Sequence, residues 1–171
     1  VGSAVFSDGR NFLNPYVFIR SDTQDDKGFP TRGFTLNAES KLLDLLLNDE
    51  KGSTIQTKIT TQINFPFTDW FTYRLGLFGG FTVGEVLNDY YLFRIGGIFD
   101  QNLGNFTRFS GYEFGQLGAK NMLTNINTFQ FKVYKNYFLN ADFSIANLFN
   151  DLKVDDLIHI SESSAGLTAG Y

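Results

Sequence analysis

From Ser53 to Phe65 the chain changes chemical character at almost every step. Ile55, Ile59, Ile63 and Phe65 fall on one parity, and Thr54, Gln56, Lys58, Thr60, Gln62 and Asn64 on the other. A β-strand sends successive side chains to opposite faces, so this period of two makes one apolar wall and one polar wall. The pattern recurs. Gly33 to Leu42 sets Phe34, Leu36, Ala38 and Leu42 against Thr35, Asn37, Glu39 and Lys41. Phe71 to Val83 sets Phe71, Tyr73, Leu75, Leu77, Phe81 and Val83 against Thr72, Arg74, Gly76, Gly80 and Thr82.

Further segments follow the same rule. Phe129, Phe131 and Val133 oppose Thr128, Gln130 and Lys132; Leu139, Ala141, Phe143 and Ile145 oppose Asn140, Asp142, Ser144 and Ala146. Ala165, Leu167, Ala169 and Tyr171 oppose Ser164, Gly166, Thr168 and Gly170. Tyr16 to Asp22 is a shorter, less regular strand, and Ala4 and Val5 suggest one more. The expectation is an all-β, antiparallel chain of about seven or eight strands.

Composition agrees with alternation. The 171 residues are 43% hydrophobic and 17% aromatic, including 20 Phe and 8 Tyr, yet the mean hydropathy is slightly negative. Aromatic wealth without bulk hydrophobicity arises when each apolar residue has a polar neighbour. No apolar run reaches the ~18 residues of a membrane helix. A net charge of -4 with scattered basic residues offers no stripe for nucleic acid. The absence of Cys excludes disulfides and thiolate chemistry. Val1 opens without a charged n-region or apolar h-region, so an export signal is expected upstream.

Two architectures share this pattern: a soluble sandwich or ligand-binding barrel, and a transmembrane barrel with its apolar face outward. The polar parity distinguishes them. It is mostly Thr, Asn, Gln, Ser and Gly, where a soluble surface would carry many Lys and Glu. Thirteen residues from Ser53 to Phe65 exceed the ~9–11 that cross a bilayer at a tilt. Phe65, Phe67, Trp70, Phe71, Tyr134, Tyr137 and Phe138 gather beside short turns, as an interfacial girdle does. Short turns at 25–30, 66–69 and 135–137 alternate with longer links at 44–52, 84–121 and 148–161. Outer-membrane barrels are organised this way, with the short turns periplasmic.

Two stretches carry a resemblance to a known family. Ser21-Asp22-Thr23-Gln24-Asp25-Asp26-Lys27-Gly28-Phe29-Pro30-Thr31-Arg32-Gly33 resembles the D-T-R-D … F-P-T-R-G strand-turn-strand of the bacterial surface antigen barrel superfamily. Phe93-Arg94-Ile95-Gly96-Gly97, followed by Arg108-Phe109-Ser110-Gly111-Tyr112, is similar to that family's F-x-x-G-G … V-R-G-F/Y on its sixth extracellular loop. The superfamily includes the outer-membrane assembly factor, two-partner-secretion transporters and barrels fused to patatin-like phospholipases. The resemblance implies a sixteen-stranded barrel in which Tyr16 to Asp22 is the eighth strand and 84–121 the sixth loop. Residues 122–134, 138–147 and 162–171 would be the twelfth to fourteenth strands, with two more beyond.

One departure stands out. Family members that transport or insert polypeptide carry Arg immediately before the motif Gly, paired with an Asp on the inner wall; here the position is Ser110. Phe-Ser-Gly-Tyr, with Glu113-Phe114-Gly115-Gln116-Leu117 after it, is closer to the patatin-linked form. Two readings of Arg108 stand: a guanidinium replacing the missing one and paired with Asp142, or a solvated loop residue. The turn motif comprises Asp22, Asp25, Phe29, Pro30, Arg32 and Gly33, and the loop motif Gly96, Gly97, Arg108, Phe109, Ser110, Gly111 and Tyr112.

Other chemistry fares poorly. His159, the sole histidine, and Ser161 invite a Ser-His hydrolase, but no Gly-x-Ser-x-Gly occurs. Asp25, Asp26, Asp155 and Asp156 lack the spaced oxygens of a calcium loop. The expectation is a membrane module without cofactor, metal or catalytic residue of its own, anchoring and helping to export an upstream passenger such as a patatin-like lipid esterase. Its alternatives are an assembly or two-partner-secretion barrel and a soluble β-binding protein. Expected partners are the lipid bilayer of the outer membrane, the passenger or periplasmic repeats of the same protein, and a second copy of the chain.

Overall fold

The computed structural model describes residues 12–43, 45–46, 54–84, 89–97, 104–151 and 160–170. The strands are β1 (Phe12–Leu13), β2 (Tyr16–Asp22), β3 (Gly33–Leu43), β4 (Leu45–Leu46), β5 (Thr54–Pro66) and β6 (Phe71–Val83). After a short helical turn at Asp89–Tyr91 come β7 (Phe93–Ile95), β8 (Phe106–Thr107), β9 (Leu117–Ala119), β10 (Asn121–Tyr134), β11 (Tyr137–Phe149) and β12 (Glu162–Gly170).

Seven strands form one antiparallel sheet in the order β2-β3-β5-β6-β10-β11-β12, each beside its predecessor in the sheet. β5, β6 and β11 have 13 residues each and β10 has 14. At a rise of ~3.3 Å a 13-residue strand is roughly 43 Å long, and a tilt near 45° brings its height to about 30 Å, the thickness of a bilayer core.

Burial follows the alternation, inside out. On the polar parity Thr128 and Gln130 are each 1% exposed, whereas on the apolar parity Ile55 and Phe143 are each 47% exposed. A soluble domain reverses that assignment, because water rewards polar exposure and apolar burial. Here the polar wall is covered by the chain's own loops and the apolar wall lies bare. On the bare side, at the short-turn end, the aromatics join into a band: Trp70 stacks with Phe131 (6.2 Å between ring centres), Phe71 with Phe131 (5.1 Å), and Phe65 with Tyr73 (6.0 Å).

Two elements cover the polar wall. Between β6 and β10 the chain folds into a small sheet, with β7 between β8 and β9, where a folded-back loop without strands of its own was expected. Phe93, Ile95 and Phe109, all fully buried, pack onto Phe78, Met122 and Ala146 of the wall. Phe78 and Met122 break the polar parity because they form this seat: Phe78 pairs with Thr60 and Thr124, which are polar. From the other end the 23–32 turn folds across to β10 and β11. Phe29 stacks on Phe138 at 4.7 Å and 7°, and Gln130 Nε2 donates to the Pro30 carbonyl at 3.3 Å.

Differences from the sequence reading are local. β10 begins at Asn121 and β11 runs to Phe149, past the expected ends, because Asn121 pairs with Phe149 in an unbroken ladder. The β1–β4 pair was not expected, each strand being two residues long. Ala4, Val5, Asp155, Asp156, His159 and Tyr171 lie outside the described residues.

Candidate functional site

Register assembles the site. Antiparallel pairing puts Asn64 opposite Arg74, Arg74 opposite Thr128, Thr128 opposite Asp142 and Asp142 opposite Gly166. These five residues form one line across five strands, all on the inward parity. Along it Arg74 and Asp142 are 7% and 8% exposed.

The tip of the loop lies on that line. Arg108 Nη2 donates to Thr128 Oγ1 at 3.0 Å and to Asp142 Oδ1 at 3.3 Å. The Thr128 hydroxyl also donates to Asp142 Oδ1, so one carboxylate oxygen receives both donors. Charge-assisted hydrogen bonds in a partly buried setting are stronger than neutral ones and fix geometry as well as energy. Two residues on, Ser110 sits over Gly166, where any β-carbon would collide with it. Tyr112 donates through its hydroxyl to Glu162 on β12. That bond to the carboxylate raises the Tyr112 phenol above its ordinary range, keeping it a donor.

The loop's own fold presents these groups. Gly96 has φ 136°, and a side chain there would strike the Glu113 carbonyl; glycine tolerates both conditions. The Gly97 N–H donates to the Tyr112 carbonyl and the Phe109 N–H to the Gly97 carbonyl, each at 2.9 Å. Phe109 points down into the buried cluster, while Arg108 and Ser110 reach the wall on either side of it. Gly111, at φ 86°, makes the turn to Tyr112 with open space around it.

A second clamp holds the loop's other flank. Gln56 Nε2 donates to the Tyr91 carbonyl at 2.6 Å, and Asn105 Nδ2 donates to Gln56 Oε1 and to the Tyr91 carbonyl, both at 3.0 Å. Lys58 Nζ donates to the Gly104 carbonyl at 2.9 Å and pairs with Glu39 at 3.2 Å. Parity puts Gln56 and Gly166 on the polar face, but nothing in the sequence singles out Gln56, Asn105, Glu162 or Gly166, since each matters only through contact with a distant segment.

The turn motif is built on its acids. The Asp25 carboxylate accepts from the N–H groups of Thr31 (2.8 Å) and Arg32 (3.1 Å) and from the Thr31 hydroxyl (2.5 Å). Asp26 accepts from the N–H groups of Gly28 and Phe29. Asp22 pairs with Lys27. Gly33 begins β3 at φ 87°, tight against the Thr23 carbonyl, and Arg32 is exposed. These acids cap a turn; among the described residues no cluster suited to a metal ion occurs. Ser161 Oγ accepts from the Leu148 N–H and donates to Asn147 Oδ1, both at 3.2 Å.

A long-stranded antiparallel sheet with a bare apolar face, an aromatic band and a loop folded against its polar face has the organisation of an outer-membrane β-barrel wall. The comparison with protein families agrees: the sequence matches the OMP85 superfamily over residues 2–171, and the chain belongs to that superfamily. Membership implies the bacterial outer membrane, and members are in general transport and assembly barrels rather than enzymes. No curated protein matches the chain.

Proposed function

We propose that residues 1–171 are one barrel domain that anchors an attached polypeptide in the outer membrane and gives it a route outward, with the 84–121 loop as an extracellular loop turned into the lumen. The observation that carries this is the seating of Arg108 on Thr128 and Asp142. A loop tied to the inner wall narrows the lumen while leaving the fold of the wall untouched, so its release changes the path without dismantling the barrel. The edge strands β2 and β12 need partners in hydrocarbon, where an unpaired backbone group costs several kcal/mol. Further strands of the same barrel or of another subunit supply them, consistent with a sixteen-stranded wall.

The passenger we assign is a patatin-like lipid esterase, with periplasmic repeats between it and the barrel. Support comes from Ser110 in the position where transporting relatives are expected to carry Arg, and from Arg108 acting from two residues upstream. Surface exposure tests the assignment. In intact cells an externally added protease should reach the passenger when the barrel is wild type and lose access when the barrel is truncated. Residues upstream that hold tandem periplasmic repeats but no Gly-x-Ser-x-Gly hydrolase would overturn it. In that case the second reading holds: an assembly or two-partner-secretion barrel, favoured by membership of a superfamily of such proteins.

A further inference from the structure

The outward face carries a feature that the lumen does not explain. Register aligns Ile59, Gly79, Leu123 and Asn147 in one outward row and Thr61, Leu77, Asn125 and Ile145 in the next. Gly79 adds no side chain to its row, and around it lies an open hollow of about 610 Å³, bordered toward the long loops by Phe81 and Ile160. Ligand pockets span roughly 300–1,000 Å³, so this is room for a ligand. A β-carbon on Gly79 would stand 3.3 Å from the Phe81 ring and 3.5 Å from Leu123, which lean over the gap.

The lining is mostly hydrocarbon, with Thr61, Thr124, Asn125 and Asn147 as its polar members, and a directional polar ladder runs up to it from the short-turn side and ends at Asn125. The Tyr73 hydroxyl donates to Asn127 Oδ1 at 2.6 Å, and Asn127 Nδ2 donates to Asn125 Oδ1 at 2.5 Å and to the Phe143 carbonyl at 3.3 Å. Thr61 donates to the Thr35 carbonyl, and Asn147 Oδ1 accepts from Ser161. The ladder therefore ends on Asn125, its oxygen used and its Nδ2 without a partner among the described residues. An amide donor left unpaired on a hydrocarbon-facing wall costs free energy, so polar groups at that depth mark function.

We propose that this hollow binds one acyl chain of an outer-leaflet lipid, a chain bearing a hydroxyl whose oxygen accepts from Asn125 Nδ2. The hollow lies toward the long-loop side of the wall, which faces outward in such barrels. Hydrocarbon surroundings supply a chain for the apolar lining, and a hydroxyl is the smallest uncharged acceptor that completes the ladder. The proposal rests on the bare face meeting the outer leaflet and is independent of the passenger.

Native mass spectrometry of the intact protein in detergent tests it, with two probes: a lipid A precursor carrying 3-hydroxytetradecanoyl chains and dimyristoylphosphatidylethanolamine. The wild type should retain one hydroxylated lipid with a preference of about three- to tenfold, the scale of one hydrogen bond. Gly79→Leu, which fills the hollow, should lose both probes; Asn125→Leu should bind both alike. Leu167→Phe, on the outward face of β12, is the control and should retain lipid as the wild type does. Heat-modifiable migration on gels reports folding, and if Gly79→Leu does not fold, Ile145→Trp fills the same space from β11. Retention undiminished in the filled variant, a preference that survives Asn125→Leu, or a dimer that excludes both probes would each overturn the proposal.

Discussion

Ser110 rests on Gly166: a β-carbon at residue 166 would stand 2.5 Å from Ser110 Oγ and 3.0 Å from its Cβ. The gap on β12 exists because the line of inward residues ends in a glycine, and the loop tip occupies it. Gly166→Val should lift that tip at an overpacking cost of about 1–3 kcal/mol. Hydrogen exchange at residues 108–112 should rise while exchange along β10 and β11 stays slow; unchanged exchange at the tip would mean that the seat does not hold it.

The Arg108–Asp142 contact predicts an asymmetric mutational response. The side chains are 17% and 7% exposed, so removing either partner strands the other in a poorly solvated place. Asp142→Ala should destabilise the loop toward the low end of about 3–5 kcal/mol, discounted for the water that reaches Arg108. Arg108→Leu combined with Asp142→Leu should cost less than the two single substitutions added together. Planar-bilayer conductance supplies a second measurement, expected to rise in Asp142→Ala as the loop leaves the wall. Equal conductance and equal loop exchange in all variants would dismiss the latch.

Asp25 makes the 23–32 turn sensitive to acid. Burial tends to raise its carboxyl, but hydrogen bonds from the Thr31 hydroxyl and from the Arg32 and Thr31 N–H groups outweigh burial and hold it below the ordinary value. A carboxyl depressed in the folded state stabilises above its unfolded pKa, about 3.9, and that contribution is lost as pH falls through the folded value. Amides of Thr31 and Arg32 should therefore lose protection, after correction for intrinsic exchange, only below about pH 4. Asp25→Asn should abolish that pH step, and a step that persists in the variant must come from another group.

Phe29 reaches the far side of the sheet from the turn. Its stack on Phe138 is worth about 0.5–1.5 kcal/mol beyond the area it buries. Phe29→Ala should open the turn and speed trypsin cleavage at Lys27 and Arg32, whereas Phe29→Tyr should keep the stack and the wild-type rate. Identical cleavage in all three proteins would show that the turn is held by its acids alone.

Trp70 reports the depth of the aromatic band. It is 58% exposed and touches Phe71 and Phe131, which suits the water–hydrocarbon boundary. In vesicles of bromine-labelled lipid its emission should be quenched most by bromines near the headgroup and least by those at the chain terminus. The reverse order would displace the band from the interface.

Most of the wall was legible in the sequence and little of the contact between wall and loop. In β5 and β6 each residue's parity tells its face, because a strand allows only two and the polar and apolar sets hardly mix. Phe78 and Met122 look like lapses in that alternation until the loop is seen resting on them. The pairing of Arg108 with Asp142 is named from the family offset and from the parity of one strand, and the two groups stand 3.3 Å apart; that the contact holds the loop is our proposal. Gln56, Glu162 and Gly166 had no such handle. Their importance depends on which residue of a distant strand lies opposite, and that follows from pairing rather than from local pattern.

The meander has a consequence for how the protein is made. Every wall strand pairs with its neighbour in the sheet order, so each hairpin can add to a growing edge with little loop entropy to overcome, except where β10 must find β6 across the inserted small sheet. That insert packs on the polar face of the sheet, against β6, β10 and β11. Its apolar residues are covered only when Phe78 and Met122 are both in place. The seat of the loop is thus complete once three adjacent strands, β6, β10 and β11, have paired, whatever partners the edges of the sheet later find.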